Sequence, residues 1–375
     1  MEKSESKVFL YKRVYQELKE KIMKKDYSFG DLLPSEREIG ETFNVDRTTV
    51  RKSLKLLVED ELVEKKAGKG TIVIYNPNVL KNEIKQEEKK EEKENRIESK
   101  TIAFLLPKSN NNNNRITQPF YSELFYTAEK SCQKHGYSLI YSTLAKDNDF
   151  EKFISSNSLA GIIFVSNIEE KYIESALELK IPAVLVNGYH KKIPSLSADN
   201  FSGMYEACKY LIKMGHKKIG IINGCSDYMS NKERLRGCIT AMREHGIILD
   251  EKYVLGGNSW EFEDSFKVVK EMLLSSNEYP TAILGFNDRL ALGAIQAIQQ
   301  FGLNVPEDIS VIGFDNSDQA KYSVPQITTV ESNVSLIAKA TISMLFQQIV
   351  EYNVYPLKIL TPVELIIRDS VKKIG

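Results

Sequence analysis

The sequence predicts a multidomain α+β chain: a small helical head closed by a β-hairpin, a charged linker, and two Rossmann-like α/β lobes. Three observations carry this reading. Within residues 33–70, two short helix patterns separated by a turn residue lead into a basic hairpin. Residues 76–100 are almost all Lys, Glu, Asn and Gln, a composition that cannot bury a core and reads as a solvated linker. Residues 101–375 alternate short apolar runs with amphipathic helix patterns, as parallel sheets covered on both faces require. The expected domains are therefore 8–75, 76–100 and 101–375.

In the head, Ser35 and Glu38 have capping-box spacing just after Pro34, so a helix starts there. Ile39 and Phe43 give it one buried face, and Asn44 interrupts it as a turn residue. Asp46 can cap the next helix, whose apolar positions Val50, Leu54, Leu57 and Val58 follow the 3.6-residue period. Its other face carries Arg47, Arg51 and Lys55, with Thr48 and Lys52 beside them. Two alternating segments then flank residues 67–70, with Lys65, Lys66 and Lys69 along them, as a hairpin would place them. Two short helices and a turn, the second presenting arginine forks, is helix-turn-helix geometry suited to guanine edges in the major groove of double-stranded DNA. A charge run alone is usually a solvated face. The ordered combination of cap, arginine face and basic hairpin favours the DNA reading. Formal net charge is zero, so such a partner is argued from local charge only.

In the third block, strands are expected at 101–106, 137–142, 161–165, 182–186, 218–223, 281–285 and 309–313. Helices are expected at 121–135, 201–214, 232–245 and 289–301. The span is too long for one half-sheet and fits two successive Rossmann-like lobes. The five asparagines at 110–114 are expected to form a loop and carry no functional weight. Strand ends in such folds face the cleft where ligands bind. Pro119-Phe120-Tyr121 opens a helix after a strand and loop, Arg234 lies in the first turns of another helix, Asn287 follows a strand, and Asp315 ends one. Arg234, Asn287 and Asp315 suit the hydroxyls of a polar ligand, and Trp260, the only tryptophan, suits the apolar face of a pyranose. Each also has a structural reading: Asp315 as a turn brace, Arg234 in a salt bridge with Glu233 or a distant acid, Trp260 as core or interface filler.

The composition is that of an ordinary soluble globular protein, with 42% hydrophobic and 27% charged residues. The polar N-terminus and the lack of any apolar run of membrane-spanning length predict a cytoplasmic protein with no membrane partner. Cys132, Cys208, Cys225 and Cys238 are scattered and read as free packing thiols. His135, His190, His216 and His245 have no metal-ligand spacing. With no nucleophile–base pair, P-loop, metal cluster or complete dinucleotide fingerprint, an enzyme is not expected, nor any cofactor or metal.

Two resemblances sharpen these expectations. Leu33-Pro34-Ser35-Glu36-Arg37-Glu38-Ile39, Asp46-Arg47-Thr48-Thr49-Val50-Arg51-Lys52 and Gly68-Lys69-Gly70-Thr71-Ile72-Val73 resemble the winged helix-turn-helix of the GntR family, over about residues 8–75. That resemblance places DNA contacts on Arg37, Arg47, Thr48, Thr49, Arg51 and Lys69. Residues 101–370 resemble the LacI/GalR-type effector domain, itself similar to periplasmic sugar-binding proteins. The carriers are Pro119-Phe120-Tyr121-Ser122-Glu123-Leu124, Gly215-His216-Lys217-Lys218-Ile219, Glu233-Arg234-Leu235-Arg236-Gly237, Asn287-Asp288-Arg289-Leu290-Ala291 and Val305-Pro306-Glu307-Asp308-Ile309-Ser310 through Asn316. It places effector contacts on Phe120 or Tyr121, Arg234, Asn287 and Asp315, with an aromatic near Trp260. Asn187 stands where the family often has an aspartate, and Cys238 where it more usually has an aromatic; both departures bear on which sugar is bound. The joint architecture resembles the AraR group of arabinose-responsive repressors. It implies a homodimer on a two-fold symmetric operator, released by a sugar, L-arabinose above all. Within the regulator class the alternative is a protein that senses a different sugar or small metabolite, or one that activates. From other classes, the lack of catalytic motifs argues against a sugar-processing enzyme, and the missing signal segment and the DNA-reading head argue against a transport binding protein.

Overall fold

The structure, a computed structural model, describes residues 2–66, 70–75, 99–108, 115–144, 150–275, 278–352 and 355–374. Gly68 and Lys69, residues 76–98 of the expected linker and the asparagine run 110–114 lie outside the described residues. The chain divides into two compact units, Met1–Arg96 and Ile97–Gly375.

The first unit holds α1 (Glu2–Met23), α2 (Glu36–Phe43), α3 (Arg47–Glu59), β1 (Val63–Lys66) and β2 (Gly70–Val73). Val14, Leu18 and Ile22, four residues apart on α1, meet Ile39, Val50, Leu54, Leu57, Leu62, Val63 and Val73 in one core. Local chemistry sets the helix ends. Ser35 Oγ accepts from Glu38 N at 3.3 Å while the Glu38 carboxylate accepts from Ser35 N at 2.7 Å. Asn44, in the left-handed region at φ 52°, ends α2, and Asp46 accepts from Thr49 N at 2.9 Å to start α3. Each cap contributes about 1 kcal/mol. One expected core position moves. Val58 is 38% exposed whereas Leu57 is fully buried, because the Val50–Leu54 spacing continues through Leu57 and the next residue turns about 100° away. β1 and β2 pair antiparallel, with Lys66 opposite Gly70.

The second unit is two α/β lobes. In the first, β3 (Thr101–Pro107), β4 (Ser138–Leu144), β5 (Leu159–Val165), β6 (Ala183–Val186), β7 (Ser195–Ala198) and β13 (Lys358–Thr361) form a parallel sheet in the order β13-β7-β6-β5-β3-β4. Successive residues of a strand point to opposite faces, and both faces are covered here. Ile102, Phe104 and Leu106 join one apolar cluster with Ile163 and Val165. Ala103 and Leu105 join another with Ile162 and Phe164. Helices α4 (Pro119–Lys134), α5 (Phe150–Asn157) and α6 (Glu170–Glu178) connect these strands.

The second lobe contains α7 (Asn200–Lys213), β8 (Ile219–Asn223), α8 (Met229–Glu244), β9 (Val254–Gly256), α9 (Phe262–Ser275), β10 (Ala282–Gly285), α10 (Asp288–Gln300), β11 (Ser310–Asp315), α11 (Asp318–Tyr322), β12 (Thr328–Glu331) and β14 (Glu364–Ile366). Its sheet runs β14-β12-β11-β10-β8-β9, with only β14 antiparallel to its neighbour. The lobes are not simply successive. After β12 the chain returns to the first lobe through α12 (Val334–Val350) and β13, then re-enters the second at β14. Three strands of chain therefore join the lobes, at 198–200, 331–334 and 361–364. No described helix is long and apolar enough to cross a membrane.

The lobe with the cleft-facing arginine depends on a close helix pair. A Cβ on Gly237 of α8 would lie 2.4 Å from the Phe201 carbonyl oxygen and 3.0 Å from Tyr205 N of α7. Both obstacles are backbone and cannot swing aside. Gly237→Ala is expected to destabilise the sensor unit by about 1–3 kcal/mol, read as a lower thermal midpoint; an unchanged midpoint would mean that α7 and α8 part freely.

Candidate functional sites: a recognition helix and an interlobe cavity

The N-terminal turns of α3 present Arg47 and Arg51 one turn apart, with side chains 72% and 58% exposed. Each Nε lies 2.9 Å from the same oxygen, Glu36 Oε2, at the start of α2. Lys65 of β1 reaches the other oxygen, Oε1, at 3.3 Å. Arg47 first, then Arg51 and Lys65, hold the Glu36 carboxyl down at about 2. Thr48 is exposed beside them. Arg37 is 85% exposed and lies 3.5 Å from Glu41. Thr49 differs: it is only 4% exposed, and its hydroxyl lies 3.3 Å from the capping Asp46, under the helix start and off the outer face. Lys69 lies outside the described residues.

In the second unit, Phe120, Tyr121, Arg234, Trp260, Asn287 and Asp315 all line one cavity of about 60 Å³. Phe120 and Tyr121 come from the start of α4 in the first lobe; the others come from loops, helix starts and strand ends of the second. Arg234 is 6% exposed. Its Nε donates to Asn200 Oδ1 at 2.8 Å, its Nη1 donates to the Phe286 carbonyl, and its Nη2 lies 3.7 Å from Asp315 Oδ1. The guanidinium carbon sits 3.6 Å from the Phe314 ring centroid, a cation–π arrangement. Glu233 pairs with Arg236, so the structural salt bridge for Arg234 is the one to Asp315. Asp315 itself has φ 111°, a conformation few non-glycine residues hold without support. Asn287 caps α10, accepting from Leu290 N at 2.8 Å, and donates to the Trp260 carbonyl at 3.2 Å. Trp260 packs over Gly224, where a Cβ would fall 2.3 Å from the indole; only glycine leaves that seat open.

Burial governs the electrostatics. It lowers Arg234 to about 10, a fall that Asp315 and Asp288 partly offset. It raises Asp315 to about 7, against the pull of Arg234. Asp288 is raised to about 6 by the same desolvation and accepts from Ser317 N at 2.7 Å and from the Thr329 hydroxyl.

Sequence reasoning missed several residues around this cavity. Gln118 Nε2 donates to Glu261 Oε1 at 2.6 Å across the lobes, and Arg115 donates to the Tyr228 hydroxyl. Arg289 pairs with Glu261, and its Nε is a buried donor with no partner among the described residues. Arg289 lies two places beyond Asn287 in the same motif, a signal that was present. Tyr228 and Glu261 had none.

Comparison with known proteins gives these sites a setting. Residues 10–73 match the model of bacterial regulatory proteins of the gntR family. Residues 208–371 match a periplasmic binding protein-like domain. The chain is 32% identical over 285 residues to the HTH-type transcriptional repressor PurR of Photobacterium profundum, covering 74% of this chain and 83% of that protein. The chain belongs to the LacI-type transcriptional repressors. It is also 32% identical to the HTH-type transcriptional repressor CytR of Escherichia coli, over 74% of this chain and 81% of that one. A LacI-type regulator from Bacillus cereus subsp. cytotoxis superposes with a TM-score of 0.68 at 26% identity, over 74% of this chain and all of that one. A complex of the regulator CelR with cellobiose shares the fold, with a TM-score of 0.67 at 21% identity over 86% of this chain and 90% of that one.

This LacI-type repressor therefore carries a GntR-family head on a periplasmic-binding-protein-like sensor. It is a DNA-binding regulator and not an enzyme.

The carboxyl of Asp315, whose side chain is 19% exposed, makes a pH prediction. Its value rises from an ordinary 3.8 to about 7 on folding, so between those values the folded chain holds a proton that the unfolded chain has released. Its contribution to stability is full below about 4 and is lost as pH rises through about 7. The unfolding free energy of Asp315→Asn relative to wild type should thus climb between pH 4 and 8, by on the order of a few kcal/mol. A difference independent of pH across that range would show that Asp315 ionises as it does in water.

Proposed function

We propose that the chain is a homodimeric, cytoplasmic repressor that leaves a two-fold symmetric operator when a neutral sugar binds between the sensor lobes. The observation that carries this reading is the convergence of Phe120, Tyr121, Arg234, Trp260, Asn287 and Asp315, from both lobes, on one cavity. Aromatic faces beside paired hydrogen-bonding groups suit a sugar ring with an apolar face and a polar rim. Arg234 is matched by Asp315 and Arg289 by Glu261, while Asp288 adds a further acid. Each cavity arginine thus has an acid beside it, which favours an uncharged ligand over a phosphate, although the Nε of Arg289 is a buried donor with no partner among the described residues. The cavity of about 60 Å³ is far below the roughly 300–1,000 Å³ of drug-sized ligand pockets. The lobes must part to admit a ring, and a monosaccharide fits better than a longer saccharide. L-Arabinose is the first candidate, on the likeness of this head–sensor combination to the arabinose-responsive AraR group.

On the DNA side, Arg47, Thr48 and Arg51 of α3 read base edges in the major groove, while Arg37 and the wing lysines Lys65 and Lys69 follow the backbone. Thr49 serves as part of the α3 cap. Sugar binding alters the presentation of paired heads through residues 76–100. Ligand must bind the two states differently for this to occur, and coupling of about 1–3 kcal/mol is typical.

Titration with pentoses and hexoses, read through Trp260, the chain's only tryptophan, tests the sensor. One neutral sugar should give a saturable fluorescence change that Arg234→Met removes. The same sugar should weaken operator binding by about 5–150-fold. Response to phosphorylated or charged metabolites alone would overturn the neutral-sugar reading.

The dimer rests on a second observation. Tyr322, Val324 and Ile367 are 81%, 85% and 58% exposed, on neighbouring segments joined by Asp369 N donating to the Gln326 carbonyl at 3.1 Å. An apolar patch of this kind suits a partner copy. Sedimentation of the full chain should give a dimer, and the double change Tyr322→Asp, Val324→Asp a monomer. A wild-type monomer at micromolar concentration would sink the dimer.

A further inference from the structure

Glu36 is an acid at the centre of a surface meant for a polyanion. By charge alone it weakens attraction to phosphate. Its contacts account for its place. One oxygen accepts from the Nε of both Arg47 and Arg51, each at 2.9 Å, and the other faces Lys65 Nζ at 3.3 Å. The carboxylate is 22% exposed while the two arginines are 72% and 58% exposed. Capping fixes the acid's own backbone, since Glu36 is the first residue of α2, directly after the capping-box Ser35.

The use of Nε is the informative detail. A guanidinium has five N–H donors in a rigid planar fork. Binding each guanidinium through Nε leaves its Nη1 and Nη2 free of Glu36. Those two nitrogens can address guanine O6 and N7 as a pair of donors. Without an acid between them, Arg47 and Arg51 would repel one another and each would sample many rotamers, and ordering such a side chain on binding costs affinity. The contact to Lys65 extends the arrangement from the recognition helix to the first strand of the wing.

We propose that Glu36 is a positioning residue for operator recognition: it holds Arg47 and Arg51 in one bidentate register and links them to the wing through Lys65. Glu36 exchanges non-specific electrostatic affinity for sequence discrimination. The proposal rests on α3 being the DNA-reading helix, and the test separates the two claims.

The full chain is used, with two probes: a duplex enriched by the wild-type protein from a random-sequence library, and a scrambled duplex of the same composition. Glu36→Gln removes the charge and keeps the size. It should lower affinity for the enriched duplex by about tenfold, in line with the discrimination one bidentate pair provides, while affinity for the scrambled duplex stays level or rises. A thermal midpoint and circular dichroism spectrum like those of wild type show that the head is folded. Glu36→Asp, too short to reach both arginines, should behave like Glu36→Gln. Equal losses on both duplexes would mark Glu36 as a scaffold residue only and overturn the proposal. So would an unchanged ratio of the two affinities. Arg51→Ala is the parallel control. If it loses the enriched duplex while Glu36→Gln does not, α3 reads DNA and Glu36 does not position it. If Arg51→Ala binds like wild type, the helix assignment and the proposal fall together.

Discussion

A buried guanidinium needs partners for its donors, and that requirement organises the sensor. Arg234 is 6% exposed, and leaving such a charge unpaired would cost several kcal/mol. Its donors end on Asn200, the Phe286 carbonyl and Asp315. These belong to the start of α7, the segment after β10 and the end of β11, so one side chain fixes three edges of the cleft. The left-handed backbone at Asp315 (φ 111°) fits this account, because strain of that kind persists only where surroundings over-determine it. Burial disfavours both charges: it lowers Arg234 to about 10, which leaves it cationic at neutral pH, and raises Asp315 to about 7.

The same residues lie on the route between the lobes. Asn200, which accepts from Arg234 Nε, stands in the first crossing, 198–200. Asp288, beside Asn287, accepts from the Thr329 hydroxyl of β12, and Asn316 Nδ2 donates to Glu331 Oε1 at 3.2 Å at the entrance to the second crossing. Asn333 in that crossing adopts φ 45° and caps α12, the helix that returns to the first lobe. A ligand that re-partners Arg234 or Asp315 therefore acts on groups one or two hydrogen bonds from the chain crossings between the lobes. In the proposed mechanism this converts differential binding into lobe movement, the hinge type of transition. Gln118 bonds Glu261 and Arg115 bonds Tyr228 from one lobe to the other.

The head is legible in the sequence because its determinants are local. The capping box, the left-handed Asn44 and the Asp46 cap each act within three residues. Thr49, a DNA contact by resemblance alone, falls instead on the buried side of α3 with Val50, Ser53, Leu54 and Leu57, where the 3.6-residue period places it. In the sensor, strands buried on both faces, such as 101–107, announce themselves as continuous apolar runs. Short strands like β7, β13 and β14, with half-polar sequences such as Ser195–Ala198, do not. Nor does the return of α12 and β13 to the first lobe, since periodicity fixes an element's type but not its neighbour. The six expected cleft residues meet at one cavity because strand-end position is a topological rule. Glu261 and Tyr228 escape because their partners are distant in the chain; Gln118 and Glu261 are 143 residues apart.

The zero net charge of the chain and the acid on its recognition face point the same way. Non-specific DNA affinity comes almost wholly from phosphate neutralisation, and an acid that bonds Arg47, Arg51 and Lys65 subtracts from it. An effector coupling of about 1–3 kcal/mol shifts affinity only 5–150-fold. A strongly basic repressor would hold its DNA through such a change by charge alone. In a balanced one, binding depends on a few oriented contacts, among them, in the proposed mechanism, Arg47 and Arg51 as Glu36 aligns them. Loss of register between paired heads then removes much of what holds the complex. Local geometry in place of global charge is what would allow a modest sugar-binding energy to release the operator.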